Sequence, residues 1–518
     1  MPLFAAGAAC VAIPLALIYI GYSVLLHPLR GYPGPFLAKF TDGYAGWYAI
    51  KKCLHLATYR NHIEYGTVVR QGPNRLVFNT AKALQDIYLN QGVTKARSYV
   101  YSRMNNRASI FNAFDKRDHR RRRAVIGHAI SEQSMRKFEP TMMSQVDIFL
   151  DQLIKASQDS GIVDMTPSCQ RLAIDVVGHL AFGSSLNTQT EEKMRFLPDS
   201  MTTLNARLNL FMTWPLIAQT DPGIKFVFKK RIERLRSALA GMIKDRMALP
   251  RDAKHDLFSI ATRDESVKHF GQEGLRDSEL WAEAGIFFTA GGSTTATAIA
   301  TIFFYISQHH EVYNKLASEI RSSFTSGCDI HGGPKLTGCE YLRAVVDETL
   351  RITPPSAGTL WREQDHSPQT GTQPFIVDGH VIPPGTAVGV NTYSIHHNEE
   401  YFPEPFKFLP ERWVVSETNT KEKLETMRRA FIPFSIGERG CAGKAMAYLE
   451  INLVIAKTLW YFDFKRASGH AGTLGAGQPG RTDGRDKPDE YQIDDIFTAD
   501  HKGPNLVFTR RGNYWEEL

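Results

Sequence analysis

The residue with the sharpest chemical setting is Cys441. It lies in Phe434-Ser435-Ile436-Gly437-Glu438-Arg439-Gly440-Cys441-Ala442-Gly443. The glycines of that stretch allow a tight loop and a close approach of backbone to a flat ligand. Helical spacing resumes from Lys444 to Lys457, so the sulfur is expected at a helix N-terminus. Free N–H groups and the positive end of the helix dipole favour a thiolate there. A thiolate in such a loop suits the axial position of a haem iron, which makes Cys441 the candidate metal ligand. A lone cysteine is more often a small buried apolar residue. Cys10, Cys53, Cys169, Cys328 and Cys339 are read that way. No C-x-x-C pair occurs, which removes zinc-finger and thioredoxin-type chemistry.

Three other constellations stand out. Glu348 and Arg351 are spaced i, i+3, so they share a helical face. Alone, such a pair is usually a solvated one. Phe408-Leu409-Pro410-Glu411-Arg412-Trp413 places a further arginine between that pair and Cys441. Ala290-Gly291-Gly292-Ser293-Thr294-Thr295 falls inside a long helical pattern from Ser278 to about His310. Each mid-helix glycine costs roughly 1 kcal/mol against alanine, so the pair needs a reason. Lys116 to Arg123 is basic at every position but Asp118. By itself that run suggests a solvated helix face or a nucleic-acid patch.

Together these motifs resemble the cytochrome P-450 family, the haem-thiolate monooxygenases. F-x-x-G-x-R-x-C-x-G is complete from Phe434 to Gly443, and Glu348-Thr349-Leu350-Arg351 matches E-x-x-R. Arg412 sits in the family's P-E-R-W element, and 290–295 is similar to A-G-x-[D/E]-T-T. The resemblance implies haem b, with iron bound by Cys441 and with Phe434 beside the cofactor. It implies that His119, Arg123, Arg362 and Arg439 grip the haem propionates. Glu348, Arg351 and Arg412 become a buried structural cluster that locks the core around the cysteine loop. Thr294 becomes the donor to iron-bound dioxygen, in an oxygen-binding element that includes Gly291 and Ser293. The glycines there would leave room for dioxygen and water. Ser293 stands where the family has an acid. A serine passes a proton on but cannot supply one as a carboxylic acid does, so the proton route stays open.

The implied activity is insertion of one oxygen atom from dioxygen into a hydrophobic small molecule. Electrons would come from NADPH through the flavins of a partner reductase. In this reading the remaining arginines of 116–123, with Arg428, Arg429 and Lys444, form a docking patch for that acidic donor, and nucleic acid is not a partner. The elbow and the His396–Trp413 segment look like membrane-bound fungal members, many of which act in secondary metabolism. Substrate-lining positions carried over are parts of Tyr99–Phe114, Phe287, Phe288, Ala290, Gly291, Ser356–Leu360 and the Asp500–Gly503 turn. Two readings remain beside this one: a haem-thiolate isomerase or dehydratase needing no dioxygen, and a non-enzymatic membrane haem protein.

The elements that must carry these residues are mostly helices. Helical spacing covers Ser131–Ala156, Gln170–Phe182 and the 230s to Ala248. Strand-like alternation is confined to Thr67–Arg70, Arg75–Asn79, Phe375–Val377, Ala387–Val390 and Asn505–Thr509. The expected architecture is mainly α with small β-sheets. Length alone, at 518 residues, would suggest several domains. No linker divides the body, so 37–518 is read as one large domain, with a flexible insertion at about 468–489. From Leu3 to Leu26 no side chain is charged, long enough for a transmembrane helix. A cleaved signal peptide is the competing reading, but the stretch lacks a basic n-region and is too long. Residues 1–26 are therefore read as an anchor and the Pro/Gly-rich 27–36 as an elbow. Lysine and arginine appear only after the anchor, which puts the body in the cytosol, on a single-pass endoplasmic reticulum membrane protein. The net charge of +7 is mild for this length.

Overall fold

One helix organises the molecule. In the computed structural model, which describes residues 13–103, 106–158, 161–250, 253–261, 277–365 and 374–518, Asp277–Gln308 runs through the core. Every side chain from Ala296 to Ile306 is buried. No side of this run faces solvent, because protein surrounds it on all sides, and its polar side chains, Thr297, Thr301 and Tyr305, share one face and are hydrogen-bonded. Its most extensive neighbour is the helix Met165–Phe182, started by Asp164, whose carboxylate accepts from the Thr166 amide. A third core helix, Lys444–Tyr461, is buried throughout its second half. Burying each large aliphatic side chain in such positions contributes about 1.5–3 kcal/mol.

The strands form small sheets at the edge of this helical body. The largest has the order β1 (Val68–Gly72), β2 (Arg75–Phe78), β8 (Ala387–Val390), β5 (Arg362–Gln364), β3 (Val93–Lys95). β2 and β8 are parallel, and the other pairs are antiparallel. The β3–β5 register sets Lys95 opposite Arg362. A second sheet joins β4 (Ile162–Asp164), β12 (Asn505–Arg510) and β9 (Phe462–Arg466), all antiparallel. Two two-stranded ribbons complete the set: β6 (Ile376–Val377) with β7 (His380–Val381), and β10 (Ile493–Asp494) with β11 (Asp500–His501). Each segment expected as a strand overlaps one, and Ala387–Val390 matches residue for residue.

At the N-terminal end, Ile13–Leu26 is an apolar helix whose large side chains, Ile18, Leu25 and Leu26 among them, face solvent. The first residues of the expected anchor, up to residue 12, lie outside the described residues. Among those described, Glu279–Gln308 is the helix long and apolar enough to cross a membrane, and it is the buried core helix. The elbow after Leu26 is pinned by Arg70. This wholly buried guanidinium donates to the carbonyls of Leu29, Lys39 and Pro73. The Gly/Pro-rich stretch 468–489 folds back on itself, with the Gln478 amide donating to the Arg485 carbonyl (2.9 Å). Arg485 in turn reaches Asp494 (3.2 Å) and the Lys52 carbonyl (3.1 Å).

Candidate functional site

The cysteine loop is built by two left-handed residues. Ser435 has φ 56° and Gly437 has φ 74°. A Cβ on Gly437 would stand 2.3 Å from the Tyr88 carbonyl oxygen, so only glycine fits. The Cys441 amide closes the loop on the Phe434 carbonyl (2.8 Å), and the Gly440 amide reaches Gly437 (2.9 Å). Arg123 Nη1 clamps the Gly440 carbonyl at 2.6 Å. Cys441 keeps solvent-accessible surface, yet much protein surrounds its sulfur. Burial pushes the thiol up, against the Gly443 amide, Arg123 and Lys444, which act in the other direction. The helix-end and charge effects expected from the sequence are thus present, but burial outweighs them.

Beside this loop is a buried cluster of cations. Lys95, His119, Arg362 and Arg439 belong to four separate segments, and Arg123 completes the group. Burial first, then Arg362 and Arg439, drives the Lys95 ammonium well below its ordinary range. His119 is lowered to about 3 by burial, then by Arg439 and Lys95. Arg439 is lowered to about 10, by burial and then by Arg362. Among the described residues no carboxylate forms an ion pair with Lys95, Arg362 or Arg439. Arg439 donates to the Ala113 carbonyl (2.6 Å) and Arg362 to that of Trp361 (3.0 Å), while Lys95 Nζ lies over the Tyr99 and Phe111 rings. Buried like charges without counter-ions are costly unless an anion joins them. The donor set therefore fits a cofactor that carries carboxylates, next to a cysteine sulfur able to ligate its metal, which is the chemistry of haem.

The basic run is not a uniform face. Arg122 is buried and bonded to Asp118, Glu279 and Glu283, and Arg121 pairs with Asp118 and Glu279. These two tie the helix Lys116–Ala129 to the central helix, which corrects the expectation that they belong to a docking patch. Burial pushes the Glu283 carboxyl up to about 7, against the pull of Arg122 and the Ile110 amide. Arg117, Arg120, Arg428, Arg429 and Lys444 are exposed.

On the central helix, Thr294 Oγ1 donates to the Ala290 carbonyl at 2.7 Å. Ala290 is exposed although the helix around it is largely buried, so the helix opens onto a recess here. The glycines serve another purpose. A Cβ on Gly291 would lie 2.8 Å from Val177 Cγ2, and one on Gly292 would lie 3.2 Å from Ile174 Cγ1. They let the helix Met165–Phe182 approach, so the space expected from Gly291 goes to packing. Ser293 Oγ lies 3.1 Å from both the Thr289 carbonyl and Thr498 Oγ1, and Asn205 Nδ2 donates to Thr498 at 2.6 Å. Ser293, Thr498, Asn205 and Asp500 line one small pocket. Burial raises the Asp500 carboxyl.

Glu348, Arg351 and Arg412 meet as expected. Glu348 accepts two bonds from Arg351 (2.9 Å each) and one from Arg412 (3.1 Å). It also accepts from the Leu409 amide and from Trp413 Nε1 (2.9 Å). Burial alone would raise its carboxyl, but the two guanidiniums hold it below the ordinary range. His396 extends the cluster to the cysteine loop. Its Nδ1 lies 3.1 Å from the Arg351 carbonyl, and its Nε2 accepts the Ile432 amide at 2.9 Å.

The cytochrome P450 family model matches residues 33–472. The chain belongs to the cytochrome P450 family. Its class is therefore that of haem-dependent oxidoreductases. It is 34% identical to the cytochrome P450 monooxygenase poxM of Penicillium oxalicum, over 94% of this chain and 91% of that one. It is 32% identical to the cytochrome P450 monooxygenase AKT7 of Alternaria alternata, over 94% of each chain. The cytochrome P450 monooxygenase atnE of Emericella nidulans is also 32% identical, over 94% of this chain and 92% of its own.

In this P450 the recess beside Ala290 encloses about 880 Å³, part of it open to solvent. Tyr101, Ser102, Arg103, Phe111 and Ala290, among the expected lining positions, do line it. Met104 and Asn105 of that stretch lie outside the described residues. Phe288 does not line it: the side chain is buried against Phe182, with ring centroids 5.7 Å apart. Ser356 and Gly358–Leu360 line a separate recess. Sequence reasoning missed Lys95, His396, Trp413 and Thr498. A lone lysine in Val93-Thr94-Lys95 has no distinguishing pattern, and within His396–Trp413 the motif gives a role to Arg412 but not to His396 or Trp413.

Proposed function

We propose that this P450 is a monooxygenase that inserts one atom of dioxygen into a hydrophobic small molecule of a secondary-metabolite pathway. The observation that carries the reading is the cluster of Lys95, Arg362 and Arg439, which has no ion-paired carboxylate among the described residues, beside the Arg123-clamped Cys441 loop. Haem, when bound, supplies the iron centre at which dioxygen is reductively activated, with electrons from NADPH through a flavoprotein reductase. Cys441 Sγ would ligate the iron, and Lys95, His119, Arg123, Arg362 and Arg439 would hold the propionates, with Phe434 at the loop. Glu348, Arg351, Arg412 and His396 fix the backbone from which that loop springs.

The proton route uses hydroxyls. Thr294 Oγ1 holds its proton on the Ala290 carbonyl, on the recess side of the helix. Ser293 Oγ and Thr498 Oγ1 link the same turn to the pocket that Asp500 faces. Asp500, raised by burial, takes the part of the acid that Ser293 replaces, and waters in the pocket complete the path.

The reading places the enzyme on the endoplasmic reticulum membrane with its body in the cytosol. Support comes from the exposed apolar helix Ile13–Leu26 and from exposed Phe36, Leu37, Trp47 and Ile50 in the segments after it. Arg117, Arg120, Arg428, Arg429 and Lys444 are the exposed cations on elements flanking Cys441, suited to an acidic reductase. The test is product formation from candidate lipophilic precursors with and without dioxygen, NADPH and reductase. All three are expected to be required. Turnover in strict anaerobiosis without reductase contradicts the proposal.

A further inference from the structure

Resting on that reading of the recess as the substrate site, we propose that the substrate is an amphiphilic carboxylic acid. Its carboxylate is held by Arg103 and Arg236, and its apolar body lies along the aliphatic wall. That wall is supplied by Leu204, Leu208, Ile232, Leu235 and Leu239, with Ile286 from the central helix. An all-apolar recess would suit a neutral hydrocarbon. This one also carries three arginines, Arg103, Arg207 and Arg236, and no aspartate or glutamate among its described lining residues.

The arginines differ in what they already satisfy. Arg207 stacks on the Phe211 ring at 4.5 Å and has a further partner, so it contributes mainly positive potential. Arg103 lies 5.1 Å from the Phe114 ring centroid, which fixes its guanidinium, and its buried Nε has no hydrogen-bond acceptor. Arg236 stands among Ile232, Leu235 and Leu239 on the helix Asp221–Met247, exposed and with no ion pair among the described residues.

A neutral ligand filling the recess would strip water from the exposed Arg236 without replacing its hydrogen bonds, and Arg103, with no ion pair among the described residues, adds a second positive charge to the same lining. A carboxylate accepts from the paired donors that a guanidinium offers and offsets that positive lining. The mixture of apolar wall and few polar groups is the usual make-up of an orienting small-molecule site. The charged lining residues are all of one sign, beside the neutral Tyr101, Ser102, Asn205, Thr289 and Thr498, and that sign favours an anion over an amine.

The test uses the full-length haem-loaded protein and a matched pair of probes, dodecanoic acid and methyl dodecanoate. Binding is read by titrating the Soret difference spectrum, which follows occupancy without turnover. The acid is expected to bind about tenfold more tightly than the ester, a preference that shrinks as sodium chloride is raised. Arg236→Gln, at an exposed position, is expected to remove most of that preference and to leave ester affinity unchanged. Arg103→Gln should do the same, and Arg103→Lys should restore part of it. Equal binding of acid and ester, failure of the acid to bind, or equal losses for both probes in Arg236→Gln overturns the proposal. The reduced carbon monoxide spectrum is recorded on each sample. An intact thiolate-type band with no acid preference sinks the substrate assignment alone, whereas absence of the band in the parent protein sinks the haem reading beneath it.

Discussion

At the scale of residues, Thr294 and Ser293 divide a task between neighbours. Thr294 bonds back to the carbonyl of Ala290, a residue that lines the recess, while Ser293 turns toward Thr498 and the pocket of Asp500. Thr294→Ala is expected to let NADPH oxidation continue while product per NADPH falls about tenfold or more, since a positioned proton donor is worth at least that. Product and NADPH measured on the same reaction check this, and unchanged coupling would mean that protons arrive elsewhere. The sequence made Cys441, Thr294 and the Glu348 cluster legible because fixed spacings surround them. Lys95 was not legible, because its meaning depends on the β3–β5 register that sets it opposite Arg362. His396 was equally opaque: its two ring nitrogens matter only through carbonyl and amide partners distant in sequence.

At the scale of elements, the decisive contact is between the central helix and Met165–Phe182. Gly291 sits where a methyl group would meet Val177 Cγ2 at 2.8 Å. Gly291→Ala is therefore expected to destabilise the protein by about 1–3 kcal/mol through overpacking. Adding Val177→Ala should return part of that loss. Thermal midpoints of the two single variants and the double variant check this. An unchanged midpoint in Gly291→Ala would show that the two helices have slack. Helical spacing located these long elements, and the expected Ser131–Ala156 matches the observed Glu132–Gln158 to within two residues at each end. It could not show that a mid-helix Gly-Gly marks a helix crossing. β3, β4 and β5, of three residues each, are too short for alternation to register.

At the scale of the whole molecule, one large core surrounds the cation cluster, and its buried histidines make it acid-sensitive. Burial, as the leading cause, lowers His396 to about 3 and His62 and His501 to about 4. A base with a depressed folded pKa is neutral in the fold while the unfolded chain takes up a proton below about pH 6.5. Stability is therefore full above that value and falls as pH drops toward the folded values. At about pH 5 each ring costs about 2 kcal/mol. Glu348, held below its ordinary range, is lost only at lower pH. The thermal midpoint of the haem-loaded protein should fall between about pH 6.5 and pH 5, less so in His396→Gln relative to its own value at neutral pH. A flat profile would contradict this. Deleting residues 1–26 should leave haem binding intact and shift most of the protein from the membrane pellet to the supernatant. Full retention in the pellet would give the main membrane contact to the body instead. Length alone points to several domains, whereas the order of the motifs along the chain points to one. The most direct test of the account is the reduced carbon monoxide spectrum of the purified protein and of Cys441→Ala. The account predicts the red-shifted Soret band of a thiolate-ligated haem in the parent and its loss in the variant. Survival of that band in Cys441→Ala would contradict it.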